Sequence, residues 1–425
     1  MFHKRGSQHL ITRWEAAASH RVIFAAFVVL GLAASSSQAP TESTTTNQMT
    51  DEACTQRGAE SPTSSCALDV LAAGLSNQEA IEDGLARRPS LKRSLEADTE
   101  VEPSDLQLLK VIGRGTFAQQ VALAKDRHTS NVYAVKSCDK QNLVQRKQVV
   151  HTWTEKKILE QLRGHPFVVT LFSTFATPDE VHFVLEYCPG GELFYHLHQH
   201  DHFNEAIVRF YAAEVLCALK SLHGANIVYR DLKPENVLLD AQGHIRLADF
   251  GFCKDLGDSD RTYSFCGSPE YLSPEMIARR GHSTATDMWS FGCFCYELAV
   301  GHPPFQLHED SLPDLFKAIR ASRVYYPPEL SPTFVTFLKG CLETDITTRL
   351  TASKAMDEPF FDGVDWNNVW ARQNEPPFQP CVLGSECTRN FDDDFTSESP
   401  RSPIWGIAPH KRNQSVPSSD VFTDF

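Results

Sequence analysis

The sequence predicts an α+β fold of two lobes, a β-rich small lobe followed by an α-helical large lobe. Three observations carry this. Short β-branched and alternating runs crowd the chain just after Leu106. Helical patterns dominate from Leu193 onward. No unit of roughly 20–50 residues repeats. Strands are expected at 106–112, 121–125, 132–138, 168–174 and 181–187, with one helix among them at 147–161. Apolar residues at helical spacing then mark 205–222 and 287–299.

The composition fits a globular chain with long ends. Of 425 residues, 41% are hydrophobic and 22% charged, which excludes a collagen, a rod or a polytopic membrane protein. Lys and Arg total 40 against 54 acids, a net charge of −14, so no nucleic-acid partner is expected. Twelve cysteines without a CxxC pair suggest neither a disulfide scaffold nor a common zinc site. Cys217, Cys293, Cys295 and Cys341 fall in apolar helical patterns and read as core thiols, whereas Cys253 and Cys266 read as oxidisable.

The ends differ from the middle. Residues 1–105 are rich in Ser, Thr, Gln and Glu and read as a mostly disordered arm. Within it Lys4, Arg5, Arg13 and Arg21 precede the apolar run 22–34, which is followed by serines. That run is too short to cross about 30 Å of hydrocarbon. It reads as a signal or targeting segment, as a short amphipathic stretch, or as sequence upstream of a true start at Met49. Residues 362–425 are rich in Pro, Phe and acids and are expected to be extended.

Chemistry enters at Gly113-Arg-Gly115-Thr-Phe-Ala118, between two expected strands. Glycines there let backbone N–H groups approach phosphate oxygens. Lys136 stands inside the apolar strand Ala134-Val-Lys136, where burial demands a partner, and Glu155 on the next helix can supply it. Tyr229-Arg230-Asp231-Leu-Lys233-Pro-Glu235-Asn236 and then Ala248-Asp249-Phe250-Gly251 supply one base, one cation and two magnesium ligands. Core packing does not ask for that set.

This constellation resembles the eukaryotic protein kinases. His151 to Lys156, Glu186 to Phe194, Thr262 to Tyr271 and Pro303-Pro-Phe305 resemble the AGC group of serine/threonine kinases, including its cyclic-AMP-dependent and ribosomal-protein kinase relatives. So do Asn390 to Phe395 and the pair Phe422 and Phe425 in the tail. The resemblance implies a two-lobed protein kinase fold over 106–361, an AGC-kinase tail over 362–425, and an ATP- and magnesium-dependent transferase acting on Ser or Thr. It implies a proton acceptor in Asp231, a γ-phosphoryl neutraliser in Lys233, and magnesium ligands in Asn236 and Asp249. Lys136, held by Glu155, would grip the phosphates. Ile112, Gly113, Gly115, Val121, Ala134, Glu186, Cys188, Leu238 and Phe391 would surround the nucleotide, with Leu185 at its back.

Glu192, Glu235 and Glu297 match positions that face basic residues before the acceptor, so basic protein substrates are expected. Ser264 is the expected site for an upstream activating kinase, its phosphate bridging Arg230 and His151. In the arm, Arg87-Arg88-Pro89-Ser90 has the form of a substrate, and Ser90 is a candidate for autophosphorylation. Phe422 and Phe425 should dock beside the helix carrying Glu155, without modification.

Two departures stand out. Ala118 replaces a glycine, and Gln119-Gln120 stands where one residue is usual, so a bulge near Gln119 or Gln120 is expected if Val121 is to face adenine. Impaired ATP binding would make the chain a scaffolding pseudokinase. A working apolar run at 22–34 would make it a secreted or membrane-anchored effector kinase instead of a cytoplasmic one.

Overall fold

In the computed structural model, residues 101–425 are described apart from 116, 117, 119, 307–310, 401–418, 423 and 424. The segment 22–34 and Ser90 lie outside the described residues.

The small lobe is a five-stranded antiparallel sheet: β1 (Leu106–Gly113), β2 (Gln120–Asp126), β3 (Val132–Asp139), β4 (Leu171–Ala176) and β5 (Glu180–Glu186), in the order β1-β2-β3-β5-β4. After β3 the chain turns into α1 (Lys140–Gln145), capped by the Asp139 carboxylate, and then α2 (Val149–Gln161). The face that α2 buries mixes Thr152 and Glu155 with Ile158 and Leu159, so a functional charge is built into its packing surface.

Pairing sets which side chains meet the cleft. Val121 lies opposite Lys136, and Leu123 opposite Ala134. Directly opposed residues of an antiparallel pair share a face, so Val121, Ala134 and Lys136 point the same way. Of the two residues where a bulge is expected, Gln119 and Gln120, Gln119 lies outside the described residues. Gln120 pairs regularly with Ser137, and the shifts fall on β1, between Leu108 and Lys110 and between Val111 and Gly113.

Other expectations also need correction. The fourth strand begins at Leu171, not 168: Val168 makes only an isolated bridge to Leu247, packing the linker against the large lobe. Lys147 is outside the helix, with φ 54, and α1 was not foreseen. The arm's last residues are ordered: Val101 is buried with Leu106, and Pro103–Asp105 form a 3-10 turn. The tail is not simply extended, since it folds into short helices at Trp366–Trp370 and Asp393–Thr396.

The large lobe begins with β6 (Gly191–Glu192), α3 (Leu193–His200) and α4 (Glu205–Gly224). Short strands β7 (Ile227–Val228), β8 (Val237–Leu239), β9 (Ile245–Leu247) and β10 (Lys254–Asp255) hold the loops between them. α5 (Pro274–Ile277) precedes α6 (Ala285–Val300), the centre of the lobe. α6 is buried on nearly every side, as a helix apolar all round must be, with Trp289, Phe291, Phe294 and Tyr296 at its middle. Cys217, Cys293, Cys295 and Cys341 are buried in this core as expected. Burial raises the Cys253 and Cys266 thiols, which suppresses the thiolate that oxidation needs.

Two buried histidines set a pH limit. Burial, helped by Lys140 at His182 and by Arg230 at His282, lowers both imidazoles from 6.5 to about 4. Above pH 6.5 both folded and unfolded forms are neutral. Below it the unfolded chain takes up protons that the native rings refuse, so stability falls from pH 6.5 to about 4, by roughly 3 kcal/mol per ring. Unfolding in urea across this range should show the loss, and His182→Gln should remove up to one proton from its slope. A slope unchanged by that substitution rules the explanation out.

Candidate active site

The cleft is organised around one buried ammonium. Lys136 Nζ donates to Glu155 Oε1 at 2.7 Å and to Asp249 Oδ1 at 2.9 Å, and it lies 5.8 Å from the centre of the Phe183 ring. Burial opposes the Lys136 charge, but Asp249 and Glu155 outweigh it and hold the pKa above the usual lysine value. Burial would raise Asp249 too, yet Lys136 and Lys233 keep it below the usual carboxylate range. Asp249 adopts φ 50, ψ 77, a left-handed conformation rare outside glycine, which its ion pair helps to sustain.

The Asp231 loop hangs from the large lobe. Asp287, at the first turn of α6, accepts from Tyr229 N at 2.9 Å, Arg230 N at 2.8 Å and His223 Nε2 at 2.9 Å. Asn236 Nδ2 donates to the Asp231 carbonyl and to Asp231 Oδ2 at 2.7 and 2.8 Å. Its amide oxygen is thereby left to act as an acceptor. Lys233 Nζ is 3.5 Å from Asp231 Oδ2 and donates to Ser268 Oγ at 2.9 Å. Ser268 in turn donates from N and Oγ to Asp231 Oδ1 at 3.3 and 3.2 Å. Burial, with Asp249 adding to it and Lys233 opposing, lifts the Asp231 carboxyl above its ordinary value. That direction suits a proton acceptor.

The apolar wall is equally local. Ile112, Leu123, Ala134 and Tyr187 form one buried cluster, joined by Val121, Leu185 and Phe391. Phe391 comes from the tail and stacks on Tyr187 with centroids 5.8 Å apart. Gly191, at φ +70, lets the tail cross: an added Cβ would lie 2.1 Å from the Asn390 carbonyl oxygen. At Gly115 a Cβ would sit 3.6 Å from Lys136 Cε and 3.2 Å from Ala118, filling the space beside the ammonium. Glu186 turns its side chain away from this wall, taking both carboxylate oxygens to Arg246 Nε at 3.0 and 3.1 Å. Cys188 is a buried thiol, and Leu238 is a partly buried residue of β8 packed against the large core, outside this cluster.

The acidic groove is partly as expected. Glu297 is 6% exposed, and its Oε2 has no hydrogen-bond partner. Burial first, then Glu235 and Glu270, hold its carboxyl well above the ordinary range. The structure thus groups Glu297 with Glu235 and adds Glu270, while Glu192 sits half-buried where β6 meets α3. Glu270 and Ser268 were missed as site residues. Their signal was the turn Pro269–Tyr271 just after Gly267, which carries them to the mouth.

In the activation segment Ser264 is exposed, its Oγ 3.4 Å from Thr262 Oγ1. Arg230 Nε donates to the Phe252 carbonyl at 2.6 Å, but both terminal guanidinium nitrogens are buried without a partner. Burial, then Arg230, lowers the His151 imidazole.

The protein kinase domain family matches residues 106–361. The chain belongs to the protein kinase family. Curated relatives fit this placement. Serine/threonine protein kinase ypkA of Aspergillus fumigatus is 39% identical over 76% of this chain and 50% of its own length. Serine/threonine-protein kinase YPK1 of Saccharomyces cerevisiae is 40% identical over 74% of this chain and 45% of its own. The RAC family serine/threonine-protein kinase homolog of Dictyostelium discoideum is 40% identical over 72% and 69%. The chain spans about half the length of the first two. These relatives place the kinase in the AGC group.

The kinase's tail closes on the small lobe. Phe422 stacks on Trp153 of α2 at 6.5 Å, and Phe425 meets Trp153 and Phe183 edge-on at 5.1 and 5.2 Å. A Phe425 main-chain oxygen accepts from Lys156 Nζ at 2.8 Å and Thr174 Oγ1 at 2.5 Å. The pair therefore braces the helix that carries Glu155. Replacing both Phe422 and Phe425 with Ala should cost about 3 kcal/mol or more of stability and lower the turnover rate. Thermal unfolding and kcat in the double variant check this; values equal to the parent's would show that the tail does not brace the site.

Proposed function

We propose that the chain is an active serine/threonine protein kinase that transfers the γ-phosphoryl group of ATP to acceptors preceded by basic residues. The assembled set of Lys136, Glu155, Asp231, Asn236 and Asp249 supports activity over the scaffold reading. The donor set fits its cofactors: a carboxylate at Asp249 and an amide oxygen at Asn236 suit magnesium, and the cradle at Gly115 beside Lys136 suits phosphates. Bound magnesium–ATP supplies the phosphoryl group and neutralises its charge.

The chain's residues do the rest. Ile112, Val121, Ala134 and Leu238 hold the adenine, and backbone at Glu186 and Cys188 reads its edge. Lys136 fixes the phosphates. Asp231 orients the acceptor hydroxyl and takes its proton, and Ser268 keeps that carboxylate aimed. Lys233 offsets charge on the moving group. Glu297, buried, unpartnered and crowded by Glu235 and Glu270, gains from an arriving guanidinium, which supports the basic preference. Arg230, with two buried unpartnered nitrogens, and His151 would receive a phosphate placed on Ser264 by an upstream kinase. Ser90 and its arginines would compete for the same acidic groove. Among the described residues no helix is long and apolar enough to cross a membrane. We place the enzyme in the cytoplasm, with tagged-protein localisation as the check on the 22–34 segment.

Asp249→Asn should abolish transfer to a basic peptide while the fold survives; full activity in that variant would sink the enzyme assignment. For selectivity, Glu297→Gln should lower kcat/KM about tenfold for a peptide with Arg before the acceptor, and much less for its Ala counterpart. Equal losses on both peptides would remove the role in recognition.

A further inference from the structure

The tail carries two thiols that the catalytic reading leaves unused. Cys381 and Cys387 begin and end a loop that turns at Gly384, with φ +85 there and a hydrogen bond from Cys387 N to the Gly384 carbonyl at 3.3 Å. The turn folds Cys387 back, so its Sγ–H donates to the Cys381 carbonyl at 3.7 Å. Cys381 is exposed and Cys387 is buried. The Arg389 guanidinium reaches Cys381 Sγ at 3.7 Å.

The loop is wired to the nucleotide pocket. The Cys387 carbonyl accepts from the Tyr187 hydroxyl at 2.5 Å, and Tyr187 belongs to the apolar wall and stacks on Phe391. Asn390 Nδ2 ties the Cys381 carbonyl, at 3.4 Å, to the Pro189 carbonyl, at 2.9 Å. Val382, Gly384 and Ser385 form one wall of a cleft of about 390 Å³ whose other side includes Tyr187 and Pro189, so the loop has room to move.

We propose that Cys381 and Cys387 are a redox modification site: hydrogen peroxide links them as a disulfide, and the bridge loosens ATP binding. This regulation rests on the ATP-dependent reading above. The Cys381 thiolate attacks the peroxide O–O bond, forming a sulfenic acid and releasing hydroxide. The Cys387 thiol then attacks that sulfur, forming the S–S bond and releasing water. Two thiols are oxidised and one peroxide is reduced. The bridge needs Cα atoms roughly 4.4–6.8 Å apart, and its sulfur must leave the Cys381 carbonyl. Closing to that span draws on the Cys387 backbone, whose carbonyl is the acceptor for the Tyr187 hydroxyl, so the bridge strains that hydrogen bond.

The test treats the full chain with hydrogen peroxide, alkylates free thiols and digests with trypsin. Both cysteines fall in the peptide 373–389. The bridge shows as that peptide losing two hydrogens and escaping alkylation, reversed by dithiothreitol. With it, KM for ATP should rise about fivefold, the worth of one neutral hydrogen bond, while kcat at saturating ATP holds. Cys381→Ser and Cys387→Ser should each abolish the KM response. Separate sulfinic or sulfonic acids without a bridge, or a bridged chain with unchanged KM, would overturn the proposal. If the untreated chain transfers no phosphate at all, the kinase reading fails instead. The bridge can still be scored by mass, and its effect by the thermal shift that magnesium–ATP induces.

Discussion

A lysine ammonium buried between two carboxylates is the constraint on which this molecule turns. Lys136 is 6% exposed, and unpaired burial of such a charge costs several kcal/mol. Its two partners come from different parts of the chain: Glu155 from α2, Asp249 from the segment after β9. Neither partner is held by its own element alone. α2 has a mixed buried face with few apolar anchors, and Asp249 sits at a strained φ. The pair survives because other contacts hold both ends, the two tail phenylalanines pressing on α2 and the Phe250–Phe252 turn buried beneath it.

A second constraint works in the opposite sense. Asp287 satisfies the backbone of Tyr229 and Arg230 from inside the large lobe, which holds the start of the Asp231 loop independently of Ser268. Arg230, with φ 69, then points a guanidinium whose terminal nitrogens find no acceptor. Glu297 presents the complementary case, a buried carboxylate oxygen without a donor. Native interiors rarely leave such groups unpaired. Arg230 and Glu297 are thus a buried cation and a buried carboxylate that each lack a partner at these atoms.

The sequence was most legible where chemistry and local pattern coincide. Lys136 is conspicuous inside an apolar strand, and the Asp231 and Asp249 segments have no packing rationale; their convergence is what the resemblance to protein kinases implied. It was least legible where tertiary contacts choose among local options. Residues 168–170 have strand composition, yet Val168 is spent on a bridge to Leu247, and β4 starts later. The register shifts on β1, between Leu108 and Lys110 and between Val111 and Gly113, have no signal in its local pattern, because only the pairing with β2 reveals them. Glu270 and Ser268 were hidden because a carboxylate and a hydroxyl in a turn are ordinary surface residues until Glu297, Asp231 and Lys233 are placed around them.

The tail changes what counts as the site. The family's domain ends at residue 361, yet Phe391 completes the apolar wall and Asn390 crosses at Gly191. Further along, Glu398 takes both carboxylate oxygens to Arg114 of the glycine loop at 2.7 and 2.9 Å. An exposed ion pair such as this adds little to stability. A wall residue, a hinge contact and a loop contact from one segment act differently: each is local to the cleft, and each is lost if the segment peels away. The nucleotide pocket is therefore only partly a property of the two lobes. Its apolar wall is finished by a strap held through Tyr187, Asn390 and the stacking of Phe391, together with ion pairs from Arg114 and Lys125 to Glu398 and Glu386.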